Sequence, residues 1–169
     1  LLLREGVDFV VEVQPAEELH DATMKPTALC AHNAASKAAA VAALHPQDIV
    51  IGADTLVFID DMPLGKPADA ADAIAMLQRL QGRTHCVCTA VAVFMPGGER
   101  RDFAELSYVT FKALDEATIR RYMSQVHVYD KAGAYAIQEH GDMIIERFEG
   151  DLDNVIGLPV TRLLEVLKA

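Results

Sequence analysis

A chain of 169 residues fits one domain with a real core, and 51% hydrophobic with 24% charged residues is ordinary for a soluble globular protein. The formal net charge of -10 excludes a nucleic-acid binder that works by bulk electrostatics. No apolar run approaches the roughly 20 residues that span a bilayer, and no signal peptide is visible.

Leu1 is not an initiator Met, and an N-terminal segment is expected before it. Residues 9–13 (Phe-Val-Val-Glu-Val) read as a short strand ending at Pro15. Residues 28–44 are Ala-rich, with Leu29, His32, Ala35, Ala39 and Ala42 near helical spacing, and predict a helix that His45-Pro46 ends. Residues 48–60 predict a buried strand interrupted at Gly52, whose apolar run Ile49-Val50-Ile51 leads into Asp54. A strand that delivers an acid at its carboxyl end is a common way for an α/β sheet to present a catalytic group.

Asp60-Asp61-Met62-Pro63 predicts a hairpin turn, and Gly65-Lys66-Pro67 places an ammonium on a stiffened turn beyond it. Residues 69–81 predict a second helix, with Ala73, Ile74, Leu77 and Leu80 as its apolar stripe and Gly82 beyond its end. Residues 84–94 and 103–111 predict paired strands around Pro96-Gly97-Gly98. A third helix opens at Leu114-Asp115 and ends near Ser124. Residues 129–138 carry small residues around a charged pair, and Gly133 between two alanines predicts a close backbone approach. A strand over 143–148, a loop over 155–159 and a closing helix over 160–167 complete the order. The pattern is α/β, with hairpins that predict a mixed sheet rather than a purely parallel one, in a single domain.

Cys30, Cys86 and Cys88 are an odd number and make no disulfide framework, which favours a reducing, cytoplasmic setting. Alternation places the sulfurs of Cys86 and Cys88 on one strand face, and no second cysteine pair completes a zinc site. The sequence lacks a phosphate-binding Gly-x-x-x-x-Gly-Lys-Ser/Thr loop, a dinucleotide Gly-x-Gly-x-x-Gly and a Gly-x-Ser-x-Gly elbow. What remains is Glu18, Lys37, Asp54, Lys66 and Lys131, charges at the ends of separate elements. Two carboxylates and several ammonium groups suit a metal-assisted displacement on a phosphoryl chain: the acids hold a hard cation, the lysines neutralise leaving-group charge, and a carboxylate takes a proton from water. Taken singly, Lys37 reads as a solvated helix face, Glu18 as one acid of an acidic stretch, and Lys66 as turn decoration.

Six blocks in one order resolve the ambiguity: Ala35-Ser36-Lys37-Ala38, Ile51-Gly52-Ala53-Asp54-Thr55, Leu64-Gly65-Lys66-Pro67, Gly82-Arg83-Thr84-His85, Asp130-Lys131-Ala132-Gly133-Ala134-Tyr135 with Ile137-Gln138, and Gly157-Leu158-Pro159. From Gly6 to the C-terminus the chain resembles the Maf family of nucleoside triphosphate pyrophosphatases. That resemblance implies an elongated mixed sheet flanked by helices, with two lobes around a cleft, as in the inosine triphosphate pyrophosphatases. It implies cleavage between the α and β phosphates, with Asp54 as proton acceptor, Lys37 and Lys66 on phosphates, and Mg2+ (or Mn2+) held by Asp54 and Glu18. The loop around Glu18 departs from the family pattern.

By the same resemblance Thr55 and Gln138 mark substrate choice and match the branch acting on dTTP and UTP; 7-methyl-GTP or another base is the alternative. An amide at Gln138 offers the donor and acceptor that suit the O4 and N3–H edge of uracil or thymine. The family's Ser-x-Arg-Arg motif is expected just before Leu1. A homodimer is expected, with no nucleic-acid or membrane partner. A nucleotide-binding regulator of septum formation with little turnover is the alternative from another class.

Overall fold

The computed structural model describes residues 1–169. Its sheet has five strands: β1 (Val50–Ile59), β2 (Met62–Leu64), β3 (Thr84–Phe94), β4 (Arg100–Phe111) and β5 (Ile145–Glu149), in the spatial order β2-β1-β3-β4-β5. Five helices flank it: α1 (Pro26–Ala42), α2 (Ala70–Leu80), α3 (Glu116–Gln125), α4 (Leu152–Ile156) and α5 (Val160–Lys168). The α/β class stands. The expected mixture of strand directions does not occur, because all four pairings are antiparallel. The connections explain this: β1–β2 and β3–β4 are hairpins, and antiparallel neighbours need no crossover.

Local chemistry accounts for the elements. Pro26 sits in the first turn of α1, where its missing N–H costs nothing. Asp69 and Asp115 cap α2 and α3 by accepting from the backbone N–H groups of Asp72 and Thr118. Asp60 and Asp61 both adopt left-handed φ, the backbone of a tight two-residue hairpin turn. β3 is the central strand and is buried on both faces from Val87 to Val93, so it reads as nearly continuous apolar sequence.

Alternation along β1 and β3 sends side chains to two different cores. On one face Leu56, Phe58, Cys88, Ala90 and Ala92 pack beneath Leu29, Cys30, Ala34 and Ala38 of α1. The other face carries two clusters. Val57, Ile59, Val87, Val109 and Phe111 lie under α2 and α3 at one end, while Val91, Val93 and Phe103 lie under Leu163 of α5 at the other. Between these clusters the sheet presents Thr55 and Thr89, directly paired across β1 and β3. This polar seam divides the second face into two lobes.

Several expectations need correction. Residues 9–13 are not a strand of the sheet: no strand pairs with them, and Val10, Val11 and Val13 are exposed. Their β-forming composition lacks the partner that a ladder requires. The fully buried residues of α1 are Leu29, Cys30, Asn33, Ala34 and Ala38; Ala35 and Ala42 pack partly buried against the same core, whereas His32 and Ala39 are exposed. A helix with alanine all round has too little contrast to orient itself by pattern. Residues 152–156 form the short helix α4, capped by Asp151, where part of a loop was expected. Finally, Asp54 lies in the middle of β1 rather than at its carboxyl end, because Leu56 to Ile59 continue the strand.

Candidate active site

Asp54 reaches solvent through an open edge rather than a strand terminus. β2 pairs only with Val57 to Ile59, which leaves β1 from Val50 to Leu56 without a neighbour on that side. Chain beyond β2 diverges at Gly65, whose carbonyl accepts from the Gly133 N–H at 3.1 Å. A cleft of about 820 Å3 follows this edge and reaches both faces of β1. Glu18, Lys37, Asp54, Thr55, Lys66, Lys131 and Gln138, the seven candidate residues singled out from the sequence, line it. A separate groove of about 680 Å3 at the start of α1 contains none of them.

One face of β1 supplies charge. Asp54 is 6% exposed, and its Oδ1 accepts from Lys37 Nζ at 2.8 Å. The same ammonium lies 3.0 Å from Glu18 Oε1, so Lys37 bridges the two carboxylates. Gly52 makes this contact possible. A Cβ there would stand 2.7 Å from both Ala34 O and Ala38 Cβ, so only glycine lets α1 lie this close to β1. The alanines of α1 have the same cause: small side chains bring the helix backbone, and Lys37 with it, onto the sheet. Burial of the Lys37 ammonium would lower its pKa, but hydrogen bonds and charge from Asp54 and Glu18 outweigh it and the pKa rises. Asp54 Oδ2 is buried and has no hydrogen-bond partner.

Glu18 belongs to an irregular segment, yet its position is fixed. Asn33 on α1 accepts from the Leu19 N–H at 2.8 Å and donates to the Leu19 carbonyl at 3.0 Å. Asn33 is buried and stands one turn before Lys37, so one helix face carries both the lysine and the clamp beside its acid. Sequence reasoning missed Asn33; an amide inside an alanine helix four residues before a site lysine was the available signal.

The opposite face of β1 is neutral. The Thr55 hydroxyl lies 2.8 Å from Thr89 Oγ1 and 3.4 Å from Gly157 O. Thr89 donates to Asn154 O at 2.9 Å, and Asn154 Nδ2 donates to Ser107 Oγ at 2.8 Å. Thr89 and Asn154 were also missed: a lone threonine in an apolar strand is a weak signal, and nothing marks Asn154.

The remaining wall is the segment after α3. Gly133 has a left-handed φ and packs against Val57, where a Cβ would come within 3.0 Å, as the small residues around it predict. Tyr122 holds the segment both ways, accepting from the Ala136 N–H at 3.0 Å and donating to its carbonyl at 3.3 Å. Burial pushes the Tyr122 phenol up to about 12. Tyr135 OH meets His85 Nε2 at 2.7 Å, and burial lowers the His85 pKa to about 4, so this histidine is neutral core structure. Gln138 is exposed on the cleft. Lys66 is exposed and its ammonium has no ion-pair partner, whereas Lys131 is tied to His127 O and Asp130. An unpaired ammonium facing a carboxylate pair across a cleft is suited to an anionic ligand with a catalytic carboxylate at its other side.

The family model described as Maf-like protein matches residues 1–169. Among curated relatives, the dTTP/UTP pyrophosphatase of Akkermansia muciniphila is 54% identical over 167 residues, covering 99% of this chain and 88% of the relative. The dTTP/UTP pyrophosphatase of Bacillus cytotoxicus is 43% identical, covering 99% of the chain and 87% of the relative. That of Pelotomaculum thermopropionicum is 41% identical, covering 99% and 88%.

Proposed function

The chain belongs to the Maf family, and from that membership we propose that it hydrolyses dTTP and UTP to the monophosphate and pyrophosphate. One observation carries the proposal beyond the relatives' names: the Glu18–Lys37–Asp54 bridge faces Lys66 and Gln138 within one cleft. In this proposal Asp54 takes a proton from a water whose oxygen attacks the α-phosphorus. The bond to the α–β bridging oxygen breaks, and pyrophosphate leaves with that oxygen and its electron pair. Lys66 neutralises charge on the departing phosphates, and Lys37 holds Asp54 in place while contributing positive charge at the same end.

A divalent metal, Mg2+ or Mn2+, belongs to the proposal. The fit is supported by the orphaned Asp54 Oδ2 and by Glu18, whose bridge through Lys37 engages one oxygen. No cluster of three His, Cys, Asp or Glu stands there, so water and phosphate oxygens would complete the shell, as Mg2+ prefers. When bound, the metal would withdraw charge from phosphate oxygens.

Thr55 and Gln138 are proposed to set base choice, Gln138 through the paired donor and acceptor of its amide. A homodimer and a cytoplasmic setting complete the proposal. Family resemblance supports the first; free Cys30, Cys86 and Cys88 support the second, and no helix is long and apolar enough to cross a membrane.

The test is pyrophosphate release from a panel of triphosphates, including 7-methyl-GTP, with Mg2+ and with Mn2+. Preference for dTTP and UTP is expected. Faster release from 7-methyl-GTP would move the substrate class, and tight binding without release would identify a nucleotide-binding regulator.

A further inference from the structure

The neutral face of β1 is more constrained than its role in a cleft wall requires. Thr55, Thr89, Asn154 and Ser107 form a hydrogen-bonded chain running from the cleft into the interior, and the last three are fully buried or nearly so. Such a chain has a direction, because a hydroxyl carries one proton.

The Asn154 carbonyl cannot donate, so at 2.9 Å it takes the Thr89 proton. If Thr89 turned away, that carbonyl would be left orphaned in the interior, since α4 ends before any backbone N–H reaches it. With its proton committed, Thr89 can only accept from Thr55, at 2.8 Å. The competing acceptor for the Thr55 proton, Gly157 O, stands at 3.4 Å, the long limit of a hydrogen bond. Thr55 therefore offers the cleft lone pairs and no proton.

We propose that Thr89, anchored by Asn154, is a positioning residue that fixes the Thr55 hydroxyl as an acceptor for a donor group on the nucleoside. This rests on the pyrophosphatase reading and adds the chemistry of discrimination to it. Two donors are shared by dTTP and UTP: the imide N3–H of the base and the 3′-hydroxyl of the sugar. Cytosine has a bare acceptor at ring N3, and a 3′-fluoro sugar has an acceptor in place of the hydroxyl. Each would set two acceptors against one another at Thr55, a mismatch that a polar site rejects strongly.

The experiment compares kcat/KM for UTP against CTP, and for dTTP against 3′-deoxy-3′-fluoro-TTP, in wild type, Thr89→Val and Thr89→Ser. Wild type is expected to disfavour one of the two acceptor analogues by about tenfold or more, and which one identifies the donor. Thr89→Val frees the Thr55 proton and is expected to narrow that preference at least about fivefold, whereas Thr89→Ser keeps it. Thr89→Cys, a weak donor of similar size, takes the place of Thr89→Val if the valine variant does not fold. Equal handling of both analogues by wild type overturns the proposal. So does a preference unchanged in Thr89→Val or Thr89→Cys, since a purely structural role would lower all substrates together. Absence of turnover with UTP and dTTP in wild type would instead remove the pyrophosphatase reading.

Discussion

The two faces of β1 do different work with neighbouring residues. Asp54 points toward α1, where its environment is ionic: one ammonium, two carboxylates and an oxygen without a partner. Thr55 points the other way, into a chain of neutral hydrogen bonds that ends inside the protein. A strand of period two gives adjacent residues opposite surroundings, and the open edge lets one cleft reach both. The ionic cluster on one face and the neutral hydrogen bonds on the other can then be adjusted separately. The cost is that each face depends on a different packing partner.

Breaking the charged face should have the larger effect on turnover. Asp54→Asn keeps the shape and removes the base, so pyrophosphate release is expected to fall roughly 10²- to 10⁴-fold with folding retained. Equal rates in wild type and variant would remove Asp54 from the chemistry and leave the two faces indistinguishable.

Gly52→Ala tests how that face is built. Its added methyl meets the α1 backbone at 2.7 Å, and helix and strand must separate. Denaturant unfolding should show a loss of about 1–3 kcal/mol, together with lower activity as Lys37 withdraws from Asp54. A variant as stable and active as wild type would show that close packing of α1 does not set the ion pair.

The neutral face has a pH signature of its own, carried by the core behind it. His85 is buried against Phe111 and Tyr135, and its pKa falls to about 4 in the folded state. Its contribution is fully present above the unfolded value near 6.5 and is lost as pH falls toward 4, because only the unfolded chain takes up the proton. Unfolding free energy should drop by about 2 kcal/mol between about pH 7 and pH 5 from this group. His85→Gln should flatten that part of the profile; an unchanged slope would place the proton uptake elsewhere.

The smallest effect is expected at Asn33, which acts on the charged face only through Leu19 and Glu18. Asn33→Ala should lower kcat/KM by roughly fivefold, the scale of about one net hydrogen bond. Combined with Glu18→Gln it should add little, since both changes loosen the same acid. Full additivity would separate the clamp from the site.

Much of this molecule is legible from its residues because local rules and tertiary packing agree. β3 runs over the predicted 84–94, where β-branched residues, turn glycines and a buried pattern coincide. The caps at Asp69 and Asp115 and the turn at Asp60-Asp61 need only their own neighbours. The six ordered blocks identified the family and contain Lys37, Asp54, Thr55, Lys66 and Gln138, which meet in the cleft, whereas Glu18 lies outside them. Residues 9–13 failed the same treatment because a strand is a relation between two segments, and composition describes one. The spacing along α1 placed the helix but only part of its buried face, Leu29, Ala35 and Ala42, because alanine gives little contrast to set the rotation.

The sequence by itself therefore determined the family, most elements and most of the polar side chains that line the cleft, since these rest on local patterns and ordered motifs. Tertiary structure decided how they meet. It placed Asp54 at an open edge in mid-strand, joined it through Lys37 to Glu18, and set Thr55 on the opposite face with a fixed proton direction. Those outcomes depend on which backbones approach within a few ångströms, and residues distant in sequence, from Asn33 to Asn154, jointly set those approaches.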